Sequence, residues 1–220
     1  MNQTIDFTII RSRRRSLVIQ ITPGKEIIVK APLLTPQFII KRFVNDKRKW
    51  IEKQTAHMQK QKAKQYIEGE EFLYLGNIYK LHIGNYKHIS IASGNKLNFP
   101  NFLMFRAEKT LTSWYIKQAK EIITERTKHY SNVMHAEYKN ITFSDTKSKW
   151  GTCDPDNSLQ FNWRLIMAPI TVIDYVVVHE LVHTWEKNHK QAFWTKVRLY
   201  KPAYKQYIKW LKYNQSRMVI

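Results

Sequence analysis

An α+β fold follows from three observations on the sequence. Short runs rich in β-branched and aromatic residues crowd the first hundred positions. Amphipathic runs with helical spacing dominate the remainder. The two patterns do not alternate as repeated βαβ units would require. The chain has 220 residues, enough for one domain with a core, or a core domain with an appendage. The expected division is a β-rich region over residues 1–100 and an α+β domain over 101–220. The boundary is placed near residue 100, where "GNKLNFPN" concentrates turn formers.

Taken in order, "IDFTII", "SLVIQI" and "EIIVKAP" read as strands, with "TPGK" as a turn between the second and third. Thr35 followed by Pro36 predicts a helix start, a cap and then a proline at the first helical position. That helix continues through "QFIIKRFVNDKRKWIEKQ", with Phe38, Ile39, Phe43, Trp50 and Ile51 on its apolar spacing. Strand-like "EFLYLG" and "IYKLHIG" follow, joined at "GN", and then "HISIASGNKLNFP". A long helix is predicted from about Ala107 to Val133, with Leu111, Trp114, Tyr115, Ala119, Ile122 and Ile123 on its apolar face. Two strands flank the turn-rich "DPDNS", the second ending at Pro169. Thr171 with Asp174 then opens a helix containing "VVVHELVH", and two further helices are separated at Pro202.

Composition narrows the function classes. The 43% hydrophobic content argues for a folded core, and no apolar run approaches the roughly 18 residues of a membrane span. The N-terminal basic cluster follows its apolar run, the reverse of a secretory signal. The one cysteine, Cys153, cannot form an internal disulfide, so a reducing compartment is expected and a cytoplasmic location with it. Thirty-seven Lys and Arg against seventeen Asp and Glu give a net charge of +20. Such a field attracts polyanions. The densest basic cluster, Arg11, Arg13, Arg14 and Arg15, is a candidate phosphate contact or simply a solvated turn.

The chemistry concentrates between Val176 and Trp194, "VVVHELVHTWEKNHKQAFW". Four residues of α-helix advance about 400°, so His179 and His183 share one face. Two imidazoles at that spacing can hold one zinc at roughly 2.0–2.1 Å each. Glu180 lies about 100° away, too offset to be a ligand but able to reach water on the metal as a general base. This is the H-E-x-x-H arrangement. For an isolated motif the competing reading is a pair of satisfied core histidines. Against it stand the apolar helix before the motif, the strand directly preceding that helix, and a third ligand. That ligand is His189, six residues after His183, which coordinates only if the helix ends first. The break is expected at Lys187 and Asn188, with Asn188 in a left-handed terminating conformation. Glu186 or a more distant carboxylate is the alternative third ligand.

Four blocks, "KSKWGTC" (147–153), "NWRLIMAP" (162–169), "DYVVVHELVH" (174–183) and "NHKQAFW" (188–194), resemble the YgjP-like metallopeptidases, with which "RSRRRSLVIQI", "IIVKAP" and "YLGNIYKL" also agree. Thr152 and Lys190 stand where that family usually carries Ser, and Ala203 where it commonly carries Asp. The resemblance covers most of the chain. It implies a zincin-like metallohydrolase domain over 101–220, one Zn²⁺ on His179, His183 and His189, and a catalytic Glu180.

The expected activity is therefore zinc-dependent hydrolysis of a peptide or protein, by a zinc-activated water with Glu180 as base. The alternatives are a nucleoside triphosphate pyrophosphohydrolase and a nucleic-acid-associated protease using the same metal site, both raised by the positive charge. No membrane partner is expected. Arg164 is a candidate contact to a substrate carboxylate or phosphate, with a structural salt bridge as its competing role. Tyr204 is a candidate oxyanion donor, against core packing on an amphipathic helix. Trp150, Gly151 and Cys153 are candidates to line the site, with packing of their loop as the favoured competing role.

Overall fold

The computed structural model describes residues 5–22, 26–59, 64–146 and 149–220. Pro23, Gly24 and Lys25 of the expected turn, and Lys147 and Ser148, lie outside the described residues. The fold is α+β, with three small mixed sheets and six α-helices among the described residues. It divides into two compact units, Met1–Ala63 and Lys64–Ile220.

The first unit contains β1 (Thr8–Ser12), β2 (Val18–Ile21), β3 (Ile27–Pro32), α1 (Gln37–Asp46) and α2 (Arg48–Gln59). The sheet order is β1-β3-β2, with β1 parallel and β2 antiparallel to β3. The predicted single helix is broken at Lys47, which leaves helical geometry at ψ 7°. The buried stripe is Ile40, Val44 and Ile51, packed with Val29 and Ala31 of β3. Phe38, Ile39 and Trp50, placed on the apolar face from spacing, are exposed. The sequence carries apolar residues at 38, 39, 40, 43 and 44, so two helical stripes compete; contact with the inward alternation of β3 selects the second. The helix opens at Gln37 after Pro36, so Thr35 is not its side-chain cap. Instead Arg11 donates to the carbonyls of Pro32, Leu33 and Thr35, which commits one member of the basic cluster to tying this loop.

The second unit begins with β4 (Glu71–Tyr74), β5 (Asn77–Gly84), β6 (Ser90–Ala92) and β7 (Lys96–Pro100), in the order β4-β5-β7-β6. Next come α3 (Ala107–Met134), β8 (Ile141–Ser144), β9 (Gly151–Cys153) and β10 (Leu159–Asn162). The chain closes with α4 (Ile170–Val182), α5 (Gln191–Tyr200) and α6 (Tyr204–Asn214). In the second sheet, β10 lies between a parallel β8 and an antiparallel β9.

The expected boundary near residue 100 differs from this division, and the packing explains why. Phe72, Tyr74, Leu81, Leu97 and Phe99 of the first sheet share one buried cluster with α3 and α4. The β4–β5 turn, with Leu75 at φ 49° and Gly76 at φ 81°, leans on the chain entering α4. Leu75 N–H donates to the Ile166 carbonyl, and Gly76 N–H to that of Met167. A Cβ on Gly76 would lie 2.6 Å from Pro169 Cγ, so both the turn and the close approach require glycine. Turn formers near residue 100 mark a local bend within the second unit.

The segment "WRLIM" is also not the strand expected. Asn162 ends β10, and its Oδ1 accepts from Arg164 N–H at 2.9 Å, opening a 3-10 turn over Trp163–Met167. α4 opens at Ile170 after Pro169 and is buried almost all round. Asp174 is not a cap. It lies buried on α4, accepting from Arg126 Nε (2.7 Å) and Nη2 (3.0 Å), Tyr130 Oη (3.0 Å) and Lys201 Nζ (3.1 Å). Those bonds fix α4 to α3 and to the end of α5. Among the described residues no helix is long and apolar enough to cross a membrane.

Candidate metal centre

α4 ends at Val182, earlier than Lys187 and Asn188, where the break is expected. Thr184 closes the last turn through both its N–H and its hydroxyl to the Leu181 carbonyl. Asn188 does not adopt a left-handed conformation; its side-chain oxygen accepts from Lys190 N–H at 3.1 Å and shapes the turn into α5. The intervening loop is held from both sides. Glu186 pairs with Lys196, which leaves its carboxylate outside the histidine cluster. Lys187 donates to Asp154 O (3.0 Å) and Asn157 Oδ1 (2.6 Å) on the β9–β10 loop.

With the helix ended, His189 turns back onto the first two histidines. Its Nε2 lies 3.1 Å from Nε2 of His183 and 3.1 Å from Nε2 of His179. Beneath them Phe193, fully buried, sits with its ring centroid 4.5–4.8 Å from all three imidazoles. Trp194 stacks on His189 at 5.7 Å, and Tyr204 stacks on Trp194 at 5.1 Å.

Three ring nitrogens thus face one another at close range, and their hydrogen-bond partners bear on where the ring protons sit. His183 Nδ1–H donates to the Glu186 carbonyl at 2.9 Å, and His179 Nδ1 lies 3.4 Å from Tyr175 Oη. The carbonyl acceptor fixes the His183 ring proton on Nδ1 and turns its Nε2 lone pair inward, while the Tyr175 hydroxyl, which can either give or accept a hydrogen bond, holds the His179 ring. Burial first, then the neighbouring imidazoles, lowers the His179 pKa to about 3, so it is neutral and ready to donate a lone pair. Tetrahedral ligands at about 2.0–2.1 Å are separated by roughly 3.3–3.4 Å, close to the observed 3.1 Å. The three residues therefore fit a metal ion, and among the described residues no fourth His, Cys, Asp or Glu joins the group.

Glu180 is buried beside this cluster and outside it. Burial raises its pKa to about 8, opposed by the charge of Lys149. Its carboxylate packs directly on β9: a Cβ added to Gly151 would meet Glu180 Oε1 at 2.6 Å and Cγ at 2.7 Å. Two adjoining cavities open from His179 and Glu180, of about 390 Å³ and 300 Å³. The larger is walled by β9 and the 187–189 loop, the smaller by α4 and α6.

His179, Glu180, His183 and His189 are thus brought together. Arg164 and Tyr204 line neither cavity. Arg164 pairs with Asp145 and lies over the Trp163 ring at 4.3 Å, and Tyr204 is buried against Trp194. Tyr175, one helical turn before His179, escaped the sequence reading although its spacing marks the same face. Asn162 is also more than a strand residue. Its amide donates to the carbonyls of Thr146 (2.8 Å) and Lys149 (3.3 Å), bracing the loop ahead of β9.

Among comparisons with known proteins, the model of the YgjP-like metallopeptidase domain matches residues 15–214. No curated protein and no solved structure matches.

Proposed function

The chain belongs to the YgjP-like metallopeptidase family, a hydrolase family, and on that premise we propose that it is a zinc peptidase with Glu180 as its general base. The observation that carries this reading is the convergence of three Nε2 atoms beside a buried glutamate that is not part of their cluster. His179, His183 and His189 hold the ion; zinc bound there supplies a Lewis acid that polarises a carbonyl and lowers the pKa of water.

The remaining work belongs to the chain. Glu180 accepts a proton from the attacking water at a carboxylate oxygen and returns it to the leaving amine. Tyr175 and the Glu186 carbonyl orient the two helix imidazoles. β9 pairs only with β10 among the described residues, so its other edge stays open for an extended chain to add main-chain hydrogen bonds. Gly151, Thr152 and Cys153 of this strand line the larger cavity, which favours a peptide over a small ester. Magnesium-dependent phosphoryl chemistry finds no matching carboxylate group among the described residues. The single cysteine suits a reducing compartment such as the cytoplasm.

Zinc titration into chelator-treated protein should bind one ion per chain, and peptide hydrolysis should rise in proportion. One bound zinc without peptide turnover, or turnover indifferent to chelation, would remove this reading. Gly151→Ala should lower kcat/KM by about 10- to 100-fold at unchanged zinc content, because the methyl group displaces the Glu180 carboxylate. Equal loss of zinc and activity would mean that Gly151 supports the fold instead.

A further inference from the structure

The two cavities beside Glu180 share Lys149, Gly151, His179 and Glu180 and differ in the rest of their lining. The larger carries Thr152, Asp154 and Lys187, groups that suit polar chain. The smaller is floored by Tyr175 and Val176 of α4 and closed by Trp150, Ile208 and Leu211. At about 300 Å³ it stands at the lower end of small-molecule sites, the scale of a single large side chain. Lys149 and Lys212 stand among its lining residues and are themselves exposed.

We infer that this recess is the specificity pocket of the peptidase, taking a large apolar side chain, aromatic or aliphatic, on one side of the scissile bond and refusing Lys and Arg there. The inference rests on the peptidase reading. His179 and Glu180 line both cavities, so a bond positioned at Glu180 places one flanking residue against α6. Transfer of a Leu or Phe side chain from water into such walls favours it over Ala by about 10- to 100-fold in kcat/KM. Lys149 and Lys212 outnumber the one acid lining the recess, Glu180, so like charge disfavours a basic residue there.

The test is cleavage-site profiling of the zinc-loaded protein on a mixed peptide library, with Ile208→Trp in parallel. Wild type should enrich Phe, Tyr, Leu or Met at one fixed position next to the cut and deplete Lys and Arg there. Ile208→Trp, which fills the recess, should shift that position to Ala, Ser or Gly. Cleavage with no preference there, or an unchanged preference in Ile208→Trp, overturns the pocket and leaves the peptidase reading standing. No cleavage of any peptide overturns both. A binding readout is independent of turnover. In metal-free protein, saturation-transfer NMR should show transfer to the side-chain protons of N-acetyl-phenylalaninamide, absent for those of N-acetyl-lysinamide and lost in Ile208→Trp. Equal transfer to both amides counts against the assignment.

Discussion

Glu180→Gln should lower kcat by about 10²- to 10⁴-fold, the range assigned to one positioned general base, while zinc remains at one ion per chain. Glutamine keeps the shape that fits against Gly151 and removes only the ability to take a proton. Folding should not suffer. Burial already favours the neutral form of this carboxyl, whose pKa is raised to about 8, and an amide is neutral at every pH. The metal-free variant should therefore melt no lower than metal-free wild type at neutral pH. Metal analysis, steady-state kinetics and a thermal melt on one preparation check all three. Activity within tenfold of wild type would end the assignment of Glu180 as base.

Asp174→Ala should cost about 3–5 kcal/mol of stability, the range for breaking a buried ion pair by removal of one partner. The carboxylate is 5% exposed and Lys201 8% exposed, so loss of Asp174 leaves an ammonium group buried without its counterion. Arg126 and Tyr130 lose their shared acceptor at the same time. For a unit of this size each kcal/mol lowers Tm by roughly 2–4 °C, so a drop on the order of 10 °C is expected. Asp174→Asn, which keeps one acceptor, should lose less. Melting of the metal-free proteins avoids stabilisation by bound ion. A change under about 1 kcal/mol would show that α4 is held by its apolar packing alone.

Both residues lie on one helix, and the sequence exposed them unequally. Glu180 is visible because its chemistry is local: His179 and His183 share a face by helical geometry, and the glutamate sits beside the first. Asp174 looked like a helix-start residue, since its partners Arg126 and Lys201 are 48 and 27 residues away in sequence. Gly151 gave a weaker sign. A glycine inside a strand hints at a close approach, but the neighbour could not be named from spacing.

His189 shows where local rules stop. On a continuous helix it faces away from the pair, so its role turns on how α4 ends. A left-handed Asn188 was the reasonable local answer. The fold instead ends the helix at Val182 and steadies the loop through Lys187 to the β9–β10 loop and Glu186 to α5. Likewise, Phe38 and Trp50 had a helical stripe available, and β3 took the other one.

The α+β class, the histidine pair and the glutamate beside it were all determined by the sequence alone, because each depends on periodicity or on groups within one turn of helix. Tertiary structure decided the closure of the third histidine, the glycine seat under Glu180 and the lining of the two cavities beside it. Those depend on surfaces brought together from distant segments, where free energy is set by which faces can be buried at once.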